Sequence, residues 1–289
     1  MSKYYCLIAG LPQIALDDSK PFYTVASFKE EIGSILTRGD QKLIDLFFLK
    51  YDNKNLLEYL KNPDYTADER GNFALKEFQD VITAFKKRKR APKGTRLPSY
   101  LIDFLTAYVA GQAKEEQEDI SWEDRLAALY FAHAMKCRNK FVADWFELNL
   151  NINNVLTALT CRKYGLDKAK YIVGDNDVAN TLRKSVSRDF GLGDKVDYLP
   201  ELQRITEEND LMVREKKVDS LKWKWLEEKT FFKIFDIESV YAYLLELEMV
   251  ERWATLDKAA GEKTFREIVG AMKKGSENAL AEFKRNNEK

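Results

Sequence analysis

Hydrophobic positions along this chain recur mostly at three- and four-residue spacing, and the strongest example is residues 235–261, FDIESVYAYLLELEMVERWATLDKAAG. Start, body and stop signals agree there. Asp236 is placed as an N-cap, Glu238 falls in the first turn where the helix dipole favours an anion, and Phe235 and Val240 occupy hydrophobic-staple positions. Gly261 is placed to close the helix. The pattern predicts ~24 helical residues, roughly 36 Å at 1.5 Å per residue. Tyr241, Leu244, Leu245, Leu247, Met249, Val250, Trp253 and Leu256 leave a narrow polar strip of Glu248, Glu251, Arg252 and Thr255. Such a helix must be covered by other helices, so it reads as the spine of an all-α protein.

Helical spacing also marks residues 28–36, 41–60, 73–85, 100–110 and 141–164, with Asp40 placed to cap the second of these. Ser121-Trp122-Glu123-Asp124 resembles a capping box and opens a helix through Leu126, Leu129, Tyr130, Ala134 and Cys137. Residues 4–11 are too short for periodicity to decide between a buried strand and a first helical turn. Residues 148–153, LNLNIN, alternate like a strand. Over the longer window Trp145, Leu148, Ile152, Val155 and Leu159 recur at helical spacing, with Arg162 and Lys163 in the last turn and Gly165 beyond, so helix is the reading. Its asparagines form either a hydrogen-bonded seam or an exposed flank.

Between residues 167 and 219 the signals weaken to short helices punctuated by Gly174, Gly191 and Gly193. Gly-Leu-Gly at 191–193 lacks the third glycine and the preceding strand of a dinucleotide loop and reads as a turn. An aromatic block then leads to the spine, and Trp223, Trp225 and Phe231 read as exposed there. Residues 265–283 are amphipathic and 284–289 form a polar tail. The acidic stretch 113–120 marks a soft boundary, which gives helical lobes at 1–112, 113–218 and 219–289. Phe141, Trp145, Leu148 and Gly165 match Ile237, Tyr241, Leu244 and Gly261 at one common spacing, which suggests similar lobes.

The formal net charge is zero, 47 basic against 47 acidic residues, so no global attraction draws the chain to nucleic acid or an anionic membrane. The basic run Lys86-Lys87-Arg88-Lys89-Arg90 reads as a solvated helix C-terminus, with phosphate binding as the competing reading. Three scattered cysteines point to a reducing, cytoplasmic setting. Residues 4–11 do not fit a signal peptide, and the uncharged runs 4–16 and 148–161 fall short of the ~20 residues a membrane span requires. Work at a membrane would therefore pass through partners. A single histidine removes most acid–base schemes, Gly-Glu-Lys-Thr at 261–264 is no P-loop, and His133 with Cys137 lacks the further ligands of a metal site. Glu248 and Arg252 read as a helix-stabilising i,i+4 pair. The expectation is a non-enzyme with no catalytic residue, cofactor, metal or small-molecule substrate.

Residues 222–270 resemble a bacterial family of helical proteins of unknown function encoded with the components of vacuolar-type ATPases. Trp225-Leu226, Phe231-Phe232, Phe235-Asp236-Ile237-Glu238, Tyr243-Leu244-Leu245, Glu251-Arg252-Trp253 and Leu256-Asp257 carry the likeness, and residues 4–12, YYCLIAGLP, look like that family's start. More remotely, two segments are similar to the stalk-to-ring adaptor of archaeal and vacuolar-type ATPases, called C in archaea and d in eukaryotes. Glu147, Asn151-Ile152, Arg162-Lys163 and Gly165 match the first motif, and Ala242-Tyr243-Leu244-Leu245, Glu248 and Arg252 the second. Asn153-Asn154 and Met249-Val250-Glu251 depart from that pattern.

The resemblance implies a multi-lobed helical bundle, a pseudo-threefold funnel, serving as a non-catalytic adaptor. It would couple the central stalk to the membrane rotor ring in ion transport or ATP synthesis, peripheral at the inner membrane. The partner-contact or motif residues it implies, taken with the aromatic block, are Glu147, Asn151, Arg162, Lys163, Trp223, Trp225, Tyr243, Glu248, Arg252 and Trp253. The alternative is a helical interaction scaffold or ATPase assembly factor with no rotor role.

Overall fold

The structure, a computed structural model, describes residues 4–18, 21–88, 92, 94–112 and 121–256, and every regular element among them is helical. The order is α1 (Tyr5–Gly10), α2 (Val25–Gly33), α3 (Arg38–Lys61), α4 (Leu75–Arg88), α5 (Ser99–Gln112) and α6 (Trp122–Ala134). There follow α7 (Lys140–Tyr164), α8 (Asp177–Lys184), α9 (Leu199–Thr206), α10 (Leu211–Thr230) and α11 (Ile237–Thr255). Residues 4–11 thus resolve as a helix rather than a strand, and the Gly-Leu-Gly at 191–193 is a turn with both glycines at positive φ. The connector at 113–120, Lys89-Arg90, Gly261 and the amphipathic stretch 265–283 lie outside the described residues.

Caps set the helix starts. Thr24 and Ser27 form a reciprocal capping box, so α2 begins ahead of its apolar pattern. Thr37, not Asp40, caps α3: its hydroxyl accepts from the Asp40 N–H, and Asp40 turns its carboxylate to the Tyr4 hydroxyl. At the far end of α7, Gly165 takes the left-handed φ of +66° and donates its N–H to the Cys161 carbonyl. Asp236 stands at the N-cap position of α11 with extended backbone but makes no side-chain cap bond. The helix stops at Thr255, short of the expected end, because Leu256 is extended and its N–H closes onto the Arg252 and Trp253 carbonyls.

One apolar cluster joins buried residues from Tyr4 to Met249. Helix α11 packs on α2, α7 and α10 and buries Val240, Tyr241, Leu244, Leu247 and Val250 completely. Its nearly unbroken apolar girth is thereby covered, as such a helix requires.

Loops that pass over the core must satisfy backbone groups that water cannot reach, and asparagines inside two helices do this. Asn55 of α3, fully buried, accepts from the Asp68 N–H at 2.8 Å and donates to the Asp68 carbonyl at 2.9 Å. Asn154 of α7, 1% exposed, treats Val173 identically, accepting at 2.9 Å and donating at 2.8 Å. Three residues before each, Asp52 accepts from the Asn72 side chain and Asn151 accepts from Asn176. The seam is the outcome for Asn151 and Asn154, while Asn153 faces solvent.

Asn154→Ala removes both bonds and strands a backbone N–H and C=O, so a loss of about 2–3 kcal/mol is expected by urea unfolding. Asn153→Ala, on the exposed side, is expected within about 0.5 kcal/mol of wild type. Equal losses at the two positions would show that the loop is anchored elsewhere.

Candidate functional site

Helix α11 connects the two surface features with the most unusual chemistry. At its N-terminal end, the turn from α10 carries Phe231, Phe232 and Ile234 at 73%, 87% and 62% exposure. The two phenyl rings meet edge to face at 4.9 Å, while Phe235 folds back onto Tyr5 at 4.7 Å. The Tyr4 N–H donates to the Phe235 carbonyl, fixing the base of the turn. An apolar tip on a braced base is the form of a docking element, since large exposed side chains held in place lose little entropy on contact.

At the C-terminal end of α11 an open cleft of about 1180 Å³ is lined by Lys29, Tyr51, Arg70, Glu248, Glu251 and Arg252, among others. Glu248 pairs with Lys50 at 2.9 Å, and Lys50 also lies 3.9 Å over the Phe47 ring. Burial lowers the Lys50 pKa, against the pull of Glu248. Arg70 grips Asp68 with two nitrogens, covers the Tyr51 ring at 4.2 Å and reaches Glu251 at 3.7 Å. Glu251 in turn accepts from the Val25 N–H at the first turn of α2. Arg252 and the Trp253 indole converge on Asp219, which is 3% exposed. The Tyr51 hydroxyl has no partner, and burial raises its pKa.

The cleft wall at residues 68–73 is held by three side chains from α2 and α3. Lys29 donates to the Arg70 and Gly71 carbonyls, Asn55 holds Asp68, and the fully buried Asp52 accepts from the Asn72 and Phe73 N–H groups. A side chain at Gly71 would put its Cβ 2.7 Å from an Asp52 carboxylate oxygen, so only glycine lets the loop approach this closely. Burial outweighs the N–H donors and pushes Asp52 up to about 6.

The residues expected to form one contact set are dispersed. Glu147 and Lys163 are exposed on α7, Asn151 is buried in the loop seam, and Arg162 donates to the Ser187 and Arg188 carbonyls while covering the Phe190 ring. Trp225 is not exposed as expected but half-buried, stacked on Phe141 at 5.6 Å and tilted against Trp145. Trp223 is likewise half-buried, its indole donating to Glu227. Tyr243 is buried against Phe28 with its hydroxyl unpartnered. The expected Glu248–Arg252 pair is replaced by Glu248–Lys50 and Arg252–Asp219, because α3 and α10 bring nearer partners than the helix's own next turn. Of these residues, Arg252 and Trp253 meet at Asp219, and Arg252 shares the cleft with Glu248.

Sequence reasoning missed Lys50, Asp219, Arg70 and Asp52. The one local signal was a polar residue on an apolar stripe: Asp52 falls at i,i+4 spacing between Phe48 and Leu56. His133 packs on Tyr100 at 5.0 Å and Cys137 bonds the Asn139 carbonyl; no metal-holding cluster of three or more such residues occurs among the described residues. No described helix is long and apolar enough to cross a membrane.

Fold and surface together define an all-helical protein with an ion-paired cleft and an aromatic-tipped turn. The chain belongs to the DUF2764 family, described as protein of unknown function, whose model matches residues 1–276 and so spans both segments that carry the expected family likeness. No curated protein and no solved structure matches it.

A carboxyl whose folded pKa stands above its ordinary value near 4 binds its proton more tightly in the folded protein. Its contribution therefore favours folding most below about pH 4 and diminishes as the pH rises to about 6. The stability difference between wild type and Asp52→Asn should fall across that interval and be level above pH 7, measured by urea unfolding. A difference that stays constant between pH 4 and 6 would place Asp52 at its ordinary pKa.

Proposed function

We propose that this protein is a non-catalytic adaptor of a bacterial vacuolar-type ATPase, coupling the central stalk to the membrane rotor ring. What supports the reading, beyond the motif resemblance, is a recurrence along the chain. Helices α3, α7 and α11 each carry an aromatic residue and a leucine two positions on, Phe47/Leu49, Phe146/Leu148 and Tyr243/Leu245, followed by a polar pair at i,i+3. The pairs are Asp52/Asn55, Asn151/Asn154 and Glu248/Glu251, recurring at intervals of roughly 100 residues as an internal repeat would.

The first two pairs, and Glu251 of the third, secure the approach to a following or returning helix, while Glu248 holds Lys50 of α3. Asp52 and Asn55 hold the segment before α4, and Asn151 and Asn154 hold the segment before α8. Glu251 holds the start of α2, so the first short helix completes the last unit. A closed set of three similar units is what a pseudo-threefold funnel would be built from, with α3, α7 and α11 falling one in each of the lobes 1–112, 113–218 and 219–289 and α2 crossing from the first lobe to the last. In this reading the protein is cytoplasmic and sits at the inner membrane through its partners.

The exposed Phe231, Phe232 and Ile234 favour a second reading, a helical scaffold or assembly factor that docks through this turn without a rotor role. Reconstitution with the purified stalk and ring proteins separates the two. The adaptor reading expects stable co-elution with both, reduced at least tenfold in affinity by Phe231→Ser with Phe232→Ser. Co-elution with neither would sink it, and transient binding lost on full assembly would favour the assembly factor.

A further inference from the structure

Beside the aromatic turn lies a second, smaller pocket of about 350 Å³ between the segment after α1 and the N-terminal half of α11. Its walls are mixed: Ile8, Leu11, Pro12, Ile14 and Ala242 give the apolar surface, and Gln13 and Thr230 add polar groups. Three polar groups in it go unanswered. The Tyr243 and Ser239 hydroxyls are buried without a hydrogen-bond partner, and Tyr243 is only 9% exposed. The Glu246 carboxyl makes neither an ion pair nor a hydrogen bond among the described residues.

Orphan polar groups of this kind are uncommon, and a half-buried carboxyl without a cation is the costliest of them. The other charges facing this corner have the same sign: Glu227 from α10 and Glu31 from α2. Burial first, and Glu227 second, push Glu246 up to about 7. What is missing is a positive charge carried on an apolar arm.

We propose that this pocket receives a lysine or arginine side chain of a partner protein, with Glu246 as its counter-ion. The apolar part of the wall, Ile8, Leu11, Pro12, Ile14 and Ala242, matches the methylene stem of such a side chain. A protein is the occupant, rather than a free amine, because Thr230 in the pocket wall runs directly into Phe231 and Phe232, and Tyr5 lies one turn before Ile8, 57% exposed. A partly desolvated charge with exposed aromatics beside its pocket has the composition of an interface hot spot. The inference deepens the docking reading above and rests on it for the nature of the occupant.

The test uses the full chain at pH 8, where Glu246 is ionised, and three probes: a short peptide with one lysine between two leucines, its norleucine twin, and n-butylammonium chloride. Affinity is read by calorimetry and occupancy by the 13C shift of the Glu246 carboxyl. The lysine peptide should bind at least tenfold tighter than its norleucine twin, and Glu246→Gln should erase that preference. The variant should fold at least as well as wild type at this pH, since no partner is lost. Phe232→Ser should weaken the peptide severalfold and leave butylammonium unchanged. Equal binding of the two peptides, no binding of either, or a preference that survives in Glu246→Gln would overturn the proposal; so would butylammonium binding as tightly as the lysine peptide, which would make this a small-amine site. A retained lysine preference alongside failure to join the ATPase stalk and ring would discard only the ATPase partner.

Discussion

A side-chain amide buried in a helix and bonded in both directions to the backbone of a passing loop is the contact on which most of this structure depends. Asn55 and Asn154 each offer one donor and one acceptor in the geometry of a neighbouring strand, so a loop without a sheet partner is satisfied residue for residue. Asparagine disfavours a helix interior by a few tenths of a kcal/mol, whereas an unanswered buried N–H or C=O costs about 1–3 kcal/mol. The second magnitude decides. Fixing Asp68 and Val173 sets where α4 and α8 begin, and the first of these also fixes the wall of the cleft.

The electrostatics of α11 follow from the same need to answer buried groups. Glu248 serves Lys50 directly and also faces Lys222, whose pKa is lowered by burial. One carboxylate thus offsets two partly desolvated cations, and Arg252 is left to Asp219 on the next helix. Ion pairs of this kind add little net stability, because desolvation consumes most of the Coulomb gain, but they penalise every other register of the helix. Their contribution is to fix how α11 lies against α3 and α10, and hence where the aromatic turn points.

The long helices were legible in the sequence because their apolar period extends over many turns, and the left-handed glycine after α7 is where its stop signal put it. Boundaries shifted where a threonine cap stood a few residues upstream of the first apolar position, as at Thr24 and Thr37. The first half of α10 was hidden by its charged residues, although Asp210 caps it by accepting from the Met212 and Val213 N–H groups. Trp223 and Trp225 were visible as aromatics, but the stacking of Trp225 on Phe141 and Trp145 depends on contacts far away in the chain, which no local pattern encodes. The same holds for Glu248, whose local partner at i+4 lost to a lysine on another helix.

Among the described residues, the Gln41 amide oxygen and the Tyr51, Ser239, Tyr241 and Tyr243 hydroxyls are all buried without a hydrogen-bond partner, but Ser239 and Tyr243 alone among them line a pocket with the unpaired Glu246 carboxyl. Asp52, Asn55, Asn154 and Asp219 are all deeply buried, and each has at least two hydrogen-bond partners. Against these four, Ser239, Tyr243 and Glu246 stand unmet on one face of one helix, and the Glu246 carboxyl is placed where another molecule can meet it. The exposed Phe231 and Phe232 follow directly on Thr230 of the pocket wall and supply the apolar surface that such a contact requires.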